Sequence, residues 1–371
     1  MKHIHWYILA LAAVLLAGCS KESGGEIIVP DAPQQSGYTP STMPVGFAAG
    51  GDFEGGVDDG WKPVSKVVGK TRAGSDFAEG SVIGVFGYYT GGSGWAQAGG
   101  ETTPNFMYNE EVTYVATEFD DQVPPQATAW AWEYSPLKYW PNNADDTLSF
   151  FAYYPHTNLL KNYFSNNIIS FPANTAAGVP AITYNAPATN YGSKVDFLYA
   201  TALDQTKEAG TVSLQFKHLM AKVQFKFTSS GVTPAPTILI KSVGFDVPAT
   251  GTFNYTENND GLPVWDPVSG THSINQEASG EGVSITTSAQ LVEEFTQYVL
   301  PCELSTINLR ISTDGHTYTD VPVTPATTIA LVAGKVTTVS FTISIKGITV
   351  TATAQPWTQE VISPEFKPNE E

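Results

Sequence analysis

The chain has 371 residues, of which 42% are hydrophobic, 12% aromatic and only 15% charged, and its net charge is −18. This length and apolar content can fill two ordinary cores, which excludes a disordered chain and a coiled coil. The excess of acids would repel a phosphate backbone, so nucleic acid is not expected as a partner, and abundant Gly, Pro and aromatic residues favour β structure.

The first 18 residues have the features of a secretory signal peptide, with a short basic start and an apolar run from Trp6 to Ala17. The run is shorter than the roughly 20 residues of a membrane-spanning helix. Residues 16–19, Leu-Ala-Gly-Cys, resemble a bacterial lipobox, which implies cleavage before Cys19 and acylation of that residue. We therefore expect a lipid-anchored precursor with signal peptide 1–18, and an ordinary secreted protein is the alternative.

A flexible tether is predicted over residues 19–41, which are polar and rich in Gly, Pro and Gln. A first strand signal follows at Met43–Ala48. The segment from Gly50 to Thr71 is rich in Gly and Asp and separates this strand from the next one. We expect that segment to be an exposed loop.

Short runs of β-branched and aromatic residues, bounded by turn residues, predict a dense series of strands beyond this loop. The apolar alternation changes parity near Lys217 and His218, which predicts a bulge or a crossover between sheets. A short helix is predicted at 157–164. The predicted strands are 82–89, 112–115, 130–134, 148–154, 211–228, 238–247, 251–255, 297–300, 307–312, 327–332, 336–345 and 348–352.

The predicted fold class is all-β, with two β-sandwich domains in tandem. Two prolines and a glycine within Ser229–Pro236 can sustain neither a ladder nor a helix and therefore predict a domain boundary. The N-terminal domain is predicted over 42–230 and the C-terminal domain over 237–363.

Signatures of catalysis and of cofactor binding are missing from the sequence. It has no GxSxG, no P-loop and no dinucleotide motif. The histidines of the predicted mature chain lie outside metal-ligand spacing of one another and of Cys302, which is predicted to be a small buried residue. Acidic pairs such as Asp120-Asp121 are expected in turns. We therefore predict a protein that is not an enzyme and has no metal and no cofactor.

A group of aromatic residues follows the strand signal at 130–134. Trp130, Trp132 and Tyr134 share one face of that strand, and Trp140 follows a turn. Such rings can stack on sugars, and they can equally fill the core of a sandwich. Glycan contact and core packing therefore stay open as alternatives.

A series of segments, taken in chain order with the lipobox and Pro356-Trp357, carries a family resemblance. The segments are Phe47, Thr71-Arg72-Ala73, Gly80–Gly87, Asn105–Asn109, Tyr134–Pro141, Leu148–Pro155, Asp196–Ala200 and Leu214–Val223. In this order they resemble the fimbrillin family of surface pilins in anaerobic gut and oral bacteria.

This resemblance implies transthyretin-like sandwiches and a lipoprotein that is exported to the cell outer membrane and assembled into type V fimbriae, which support adhesion. It further implies that a trypsin-like, often arginine-specific protease removes the lipidated segment with the first strand. A strand from a neighbouring subunit then fills the vacated groove. The implied partners are other fimbrial subunits, the protease and, before processing, outer-membrane lipid through Cys19.

The residues that would take these roles can be named. Arg72 is the only arginine before Arg310 and follows the predicted loop, so it is the candidate cleavage site. Lys62, Lys66 and Lys70 are weaker alternatives. The candidate donor strand begins at Ile348 and ends at Val361, and its alternating side chains are Ile348, Val350, Ala352 and Ala354.

Three alternatives stay open at this point. The C-terminal segment can equally be the last strand of its own domain. The protein can also be a lipid-anchored surface glycan-binding protein, with Trp130, Trp132, Tyr134 and Trp140 as its platform. A fimbrial anchor lipoprotein that keeps its lipid and its first strand is the third alternative.

Overall fold

Strands dominate the computed structural model, which describes residues 37–51, 77, 79–119, 127–163, 168–187, 195–230, 238–344 and 347–357. Within these residues there are 25 strands and two short α-helices. The all-β class is thereby confirmed, and the transthyretin-like topology stays a prediction. In the described ranges, no helix has both the length and the apolar character needed to cross a membrane.

The helices are short, and most of the secondary structure consists of strands. The α-helices are α1 Trp95–Ala98 and α2 Thr157–Tyr163, and 3-10 turns occur at Gly99–Glu101, Lys207–Ala209 and Glu293–Phe295. The strands of the first half are β1 Pro40–Pro44, β2 Gly46–Gly51, β3 Val82–Gly91, β4 Met107–Phe119, β5 Ala127–Glu133, β6 Tyr139–Pro141, β7 Thr147–Tyr154, β8 Ile169–Ser170, β9 Ile182–Asn185, β10 Leu198–Gln205, β11 Thr211–His218 and β12 Ala221–Ser230. Those of the second half are β13 Ile238–Val247, β14 Thr250–Glu257, β15 Pro263–Ser269, β16 His272–Glu277, β17 Val283–Ile285, β18 Gln290–Leu291, β19 Gln297–Val299, β20 Cys302–Leu304, β21 Ile307–Ser312, β22 Tyr318–Val323, β23 Ile329–Leu331, β24 Lys335–Ser344 and β25 Gly347–Pro356.

Seven strands form a closed barrel in the order β10-β11-β2-β5-β4-β3-β7. Its interior is filled by alternate side chains, for example Val212, Leu214 and Phe216 of β11, which the alternation in the sequence predicts. Strands β3 and β7 are instead apolar almost without a break, because both of their faces are buried.

The outer faces of β3, β7 and β10 are covered by a four-stranded sheet in the order β15-β14-β9-β8. An aromatic core lies between the barrel and this sheet. It includes Phe86, Phe151, Tyr199, Phe253 and Trp265. Aromatic rings in such contacts add stabilisation beyond the area that they bury.

A separate core, the second core, lies between two further sheets, whose orders are β18-β12-β24-β25 and β16-β13-β21-β22. Strand β12 lies beside β24 in parallel over nine residue pairs, from Lys222↔Val336 to Ser230↔Ser344. The change of parity predicted near Lys217 and His218 marks the place where the chain leaves the barrel. Strand β11 ends there, and β12 begins three residues later in the other sheet.

The predicted boundary between two domains lies at 231–236, outside the described residues. Strands from the two sides of it pair with each other: β9 with β14, and β12 with β24. The described residues belong to one compact unit. A division into domains at this boundary stays a prediction, and the structure shows that the segments on its two sides share sheets.

Candidate functional site

The first barrel strand, β2, is the element on which the strand-exchange hypothesis depends. It lies parallel to β11, with six consecutive pairs from Gly46↔Thr211 to Gly51↔Phe216, and meets β5 at Phe47↔Trp132. Because β2 is hydrogen-bonded on both sides, it closes the barrel between two strands that come much later in the chain.

Three side chains on and just before β2 point into the barrel. Val45, Phe47 and Ala49 are buried, whereas Ala48 between them is exposed. The Phe47 ring meets Phe150 edge to face at 5.4 Å and lies 5.7 Å from the ring of Tyr134. Removing β2 would therefore open an apolar groove along the barrel and free the hydrogen-bonding edge of β11.

Tyr134 and Lys138 hold the start of β2 in place. The Tyr134 hydroxyl donates a 2.8 Å hydrogen bond to the Val45 carbonyl, and the Val45 amide donates one of 2.8 Å to the Lys138 carbonyl. The Lys138 amide donates in turn to the Tyr134 hydroxyl at 3.2 Å. Burial raises the pKa of the Tyr134 phenol to about 12.

This buried phenol predicts a loss of stability at high pH. The folded protein keeps the Tyr134 proton up to a pKa of about 12, whereas the unfolded chain releases it near 10.0. The stabilisation is complete below pH 10 and is lost as the pH rises towards 12, by up to about 1.4 kcal/mol for each pH unit. Urea unfolding of the parent and of Tyr134→Phe at several pH values should show a shallower decline in the variant. An unchanged slope would contradict the prediction.

The aromatic residues considered for glycan contact lie mostly inside the barrel. Trp132, Tyr134 and Trp140 are buried members of its core, and the Trp140 indole NH donates a 3.0 Å hydrogen bond to the Gly210 carbonyl. Only Trp130 is partly exposed. Three of the four rings thus follow the core-packing alternative, and glycan contact stays a prediction.

The candidate donor residues lie on β25, at the edge of a sheet. This strand pairs in antiparallel register with the whole of β24, from Ser344↔Gly347 to Lys335↔Pro356. Ile348 and Val350 are partly buried against the second core, whereas Ala352 and Ala354 are exposed. In this conformation β25 is the last strand of its own sheet, which was one of the alternatives predicted for the C-terminal segment. The other edge of β25 has no partner strand among the described residues.

Trp357, which the sequence analysis used only for the family resemblance and gave no contact or role, lies directly after β25. Trp357 is 4% exposed, and its ring stacks on the His218 ring at the end of β11. The only signal in the sequence was a tryptophan close after a strand of small polar residues, which does not reveal its partners.

Other candidate residues lie outside the described part of the chain or carry no chemistry in it. Cys19 and Arg72 are outside the described residues. Cys302 is partly buried, and burial raises the pKa of its thiol to about 12, so it is a poor nucleophile. Among the described side chains, no group of three or more His, Cys, Asp or Glu is arranged to hold a metal ion.

Comparisons with known proteins agree on one family. The family model described as "Fimbrillin-like" matches residues 71–357. The fimbrium subunit Fim1C of Phocaeicola vulgatus is 31% identical over 147 residues, which are 38% of this chain and 35% of that protein, so the match spans about a third of the relative's length.

A solved structure agrees in fold. The crystal structure of a fimbrial protein from Bacteroides vulgatus matches with a TM-score of 0.56 at 21% identity, and the match covers 74% of this chain and 93% of that one. At this identity the similarity concerns the fold alone. Since the family model matches well over half of the chain, the protein belongs to the fimbrillin-like family.

Proposed function

We propose that the protein is a structural subunit of a cell-surface fimbria, exported as a lipoprotein precursor and assembled by strand exchange after proteolysis. Family membership and the similarity to a fimbrium subunit support the fimbrial role. The location implied is the outer membrane for the precursor, anchored through Cys19, and the fimbrium for the processed protein.

The observation that carries this proposal is the position of β2. A strand of six residues fills a slot between β11 and β5, and three buried side chains anchor it in the barrel. A foreign strand that enters the same slot would regain the backbone ladder with β11 and bury its own alternate side chains, which is the physical basis of β-augmentation.

The proposed cleavage site is Arg72. A cut there removes β1 and β2 and leaves Phe77, which packs edge to face on Trp132 and Phe216 in the barrel core. The family match begins at residue 71, so the segment that would be removed lies almost entirely outside the matched range. The product would thus keep nearly all of the matched range and would have an open groove beside β11.

The proposed donor is β25, because its side-chain pattern follows that of β2. The inward series of the first strand is Val45, Phe47 and Ala49, two larger side chains followed by a small one. Ile348, Val350 and Ala352 repeat this spacing and this order of sizes, and Ala354 extends it. In an extended strand, residues spaced by two share one face, so the donor can present all of them to the groove.

Cleavage by an arginine-specific protease tests the proposal. The folded, non-lipidated precursor should yield a fragment that begins at residue 73 and forms oligomers on size-exclusion chromatography, whereas Arg72→Gln should stay uncut and monomeric. A fragment that unfolds, or stays monomeric at high concentration, would contradict strand exchange and favour the anchor lipoprotein.

A matched pair of variants tests the donor. Ala352→Asp places a charge on the face that would enter the groove, and Thr351→Asp places the same charge on the opposite face of the strand. Both positions are exposed in the precursor, so both variants should fold and be cleaved. We expect Ala352→Asp to abolish oligomers and Thr351→Asp to keep them. Equal assembly of the two variants would exclude β25 as the donor.

A further inference from the structure

The ring of Trp357 lies in a slot built by three other side chains. It stacks on His218 with ring centroids 3.7 Å apart and an interplanar angle of 2°. It is also nearly parallel to the ring of Tyr298, at 5.5 Å and 10°. The Lys222 ammonium lies 5.6 Å from the centroid of the Trp357 ring and 5.8 Å from that of Tyr298. Flat stacking and a nearby cation are both favourable for an indole.

The members of the slot belong to different strands that meet where the chain leaves the barrel. His218 ends β11, Lys222 lies on β12 and Tyr298 lies on β19. The His218 Nδ1 atom lies 2.9 Å from the Asp196 carboxylate, which fixes the orientation of the imidazole. The three side chains of the slot thus belong to strands other than β25, and His218 has a polar partner of its own.

Strand β25 itself buries little side-chain surface. Within residues 347–357, Trp357 is the only fully buried side chain, and residues 351–356 are all exposed. Apart from Trp357, the strand is attached by its ladder with β24 and by the partial burial of Ile348 and Val350. A strand at the edge of a sheet, with one neighbouring strand and solvent-exposed side chains, opens readily. The C-terminal half of β25 therefore depends on Trp357 to stay paired with β24.

We propose that His218, Lys222 and Tyr298 form an indole-binding slot, and that Trp357 is the positioning residue that clamps the C-terminal strand onto β24. The slot must be emptied before β25 can pair with another subunit. This last step rests on the proposed function, whereas the clamp itself does not.

One barrel strand, β11, contacts both β2 and Trp357. β11 provides the hydrogen-bonding edge for β2 and, at its last residue, the ring on which Trp357 stacks. The strand that pairs with β2 therefore also contacts the residue that follows β25.

Hydrogen exchange measured by mass spectrometry on the intact, non-lipidated precursor tests the clamp. Trp357→Ala should raise the exchange rate of the β25 amides at least tenfold. Trp357→Phe, which keeps a stacking ring, should raise it much less. Thr353→Ala, an exposed position on the same strand, should leave the rate unchanged. Amides of β13, in the centre of the opposite sheet, are the internal reference and should keep their protection in all variants.

Protection of β25 in Trp357→Ala equal to that of the parent would overturn the proposal. Loss of protection in β13 as well would mean that Trp357→Ala destabilises the whole protein. In that case Tyr298→Ala decides the question, because it removes one wall of the slot and leaves the sequence of β25 unchanged. The exchange rate of the β25 amides should then rise in Tyr298→Ala. After cleavage at Arg72, a released clamp should also speed the formation of oligomers. If none of the proteins forms oligomers, the proposed function fails, and the exchange rates still decide whether the clamp exists.

Discussion

Replacing Phe47 with alanine is expected to lower the free energy of unfolding of the precursor by about 3–5 kcal/mol, the usual cost of deleting a buried phenylalanine ring. The ring is 5% exposed and contacts Phe150 and Tyr134 inside the barrel. Its loss leaves a cavity beside β2, because the close-packed strands of the barrel cannot move together to fill the space. Urea unfolding monitored by far-UV circular dichroism measures the effect.

Ala48→Ser is the matched control, because Ala48 lies on the outward face of the same strand and is exposed. It should change the stability by less than about 0.5 kcal/mol. In oligomers formed after cleavage, Phe47→Ala should have no effect, since the segment that carries it has left. A cost below about 1 kcal/mol in the precursor would show that β2 is not anchored by this side chain.

The second large effect is expected for Phe253→Ala, which should also destabilise the protein by about 3–5 kcal/mol. Phe253 is fully buried between the barrel and its covering sheet, and its ring meets Tyr199 of β10 at 4.6 Å. In the ladder it pairs with Ile182 of β9 and with Trp265 of β15. The variant should therefore lose amide protection in β9 and in β15 together, although these strands lie on opposite sides of the predicted domain boundary.

Phe341→Ala is the control for this prediction. Phe341 is equally buried, but it packs in the second core against Phe225 and Phe227. It should cost a similar free energy of unfolding and leave the local protection of β9 and β15 intact. Loss of protection confined to β15 in Phe253→Ala would show that the covering sheet does not couple the two parts of the chain.

Local patterns in the sequence were enough to predict the all-β class and the position of most strong strands. The predicted strands at 82–89, 148–154, 238–247 and 336–345 correspond to β3, β7, β13 and β24. Their patterns are long and rich in β-branched or aromatic residues, so local preference and burial agree. The parity change after Phe216 located the crossover from the barrel to the next sheet. A one-residue shift in the alternation moves the buried side chains to the other face of the strand.

Which of these patterned faces became core, and which strands became neighbours, depended on contacts between residues distant in sequence. Alternation shows that Trp132 and Tyr134 share a face, but only closure of the barrel by β2 places that face inside. Strands β9 and β15 are short or interrupted by proline, so their pattern is too weak to read before their pairing with β14 is known. The slot of Trp357 joins residues that are distant in sequence, and such contacts depend on strand order and register, which no local pattern contains.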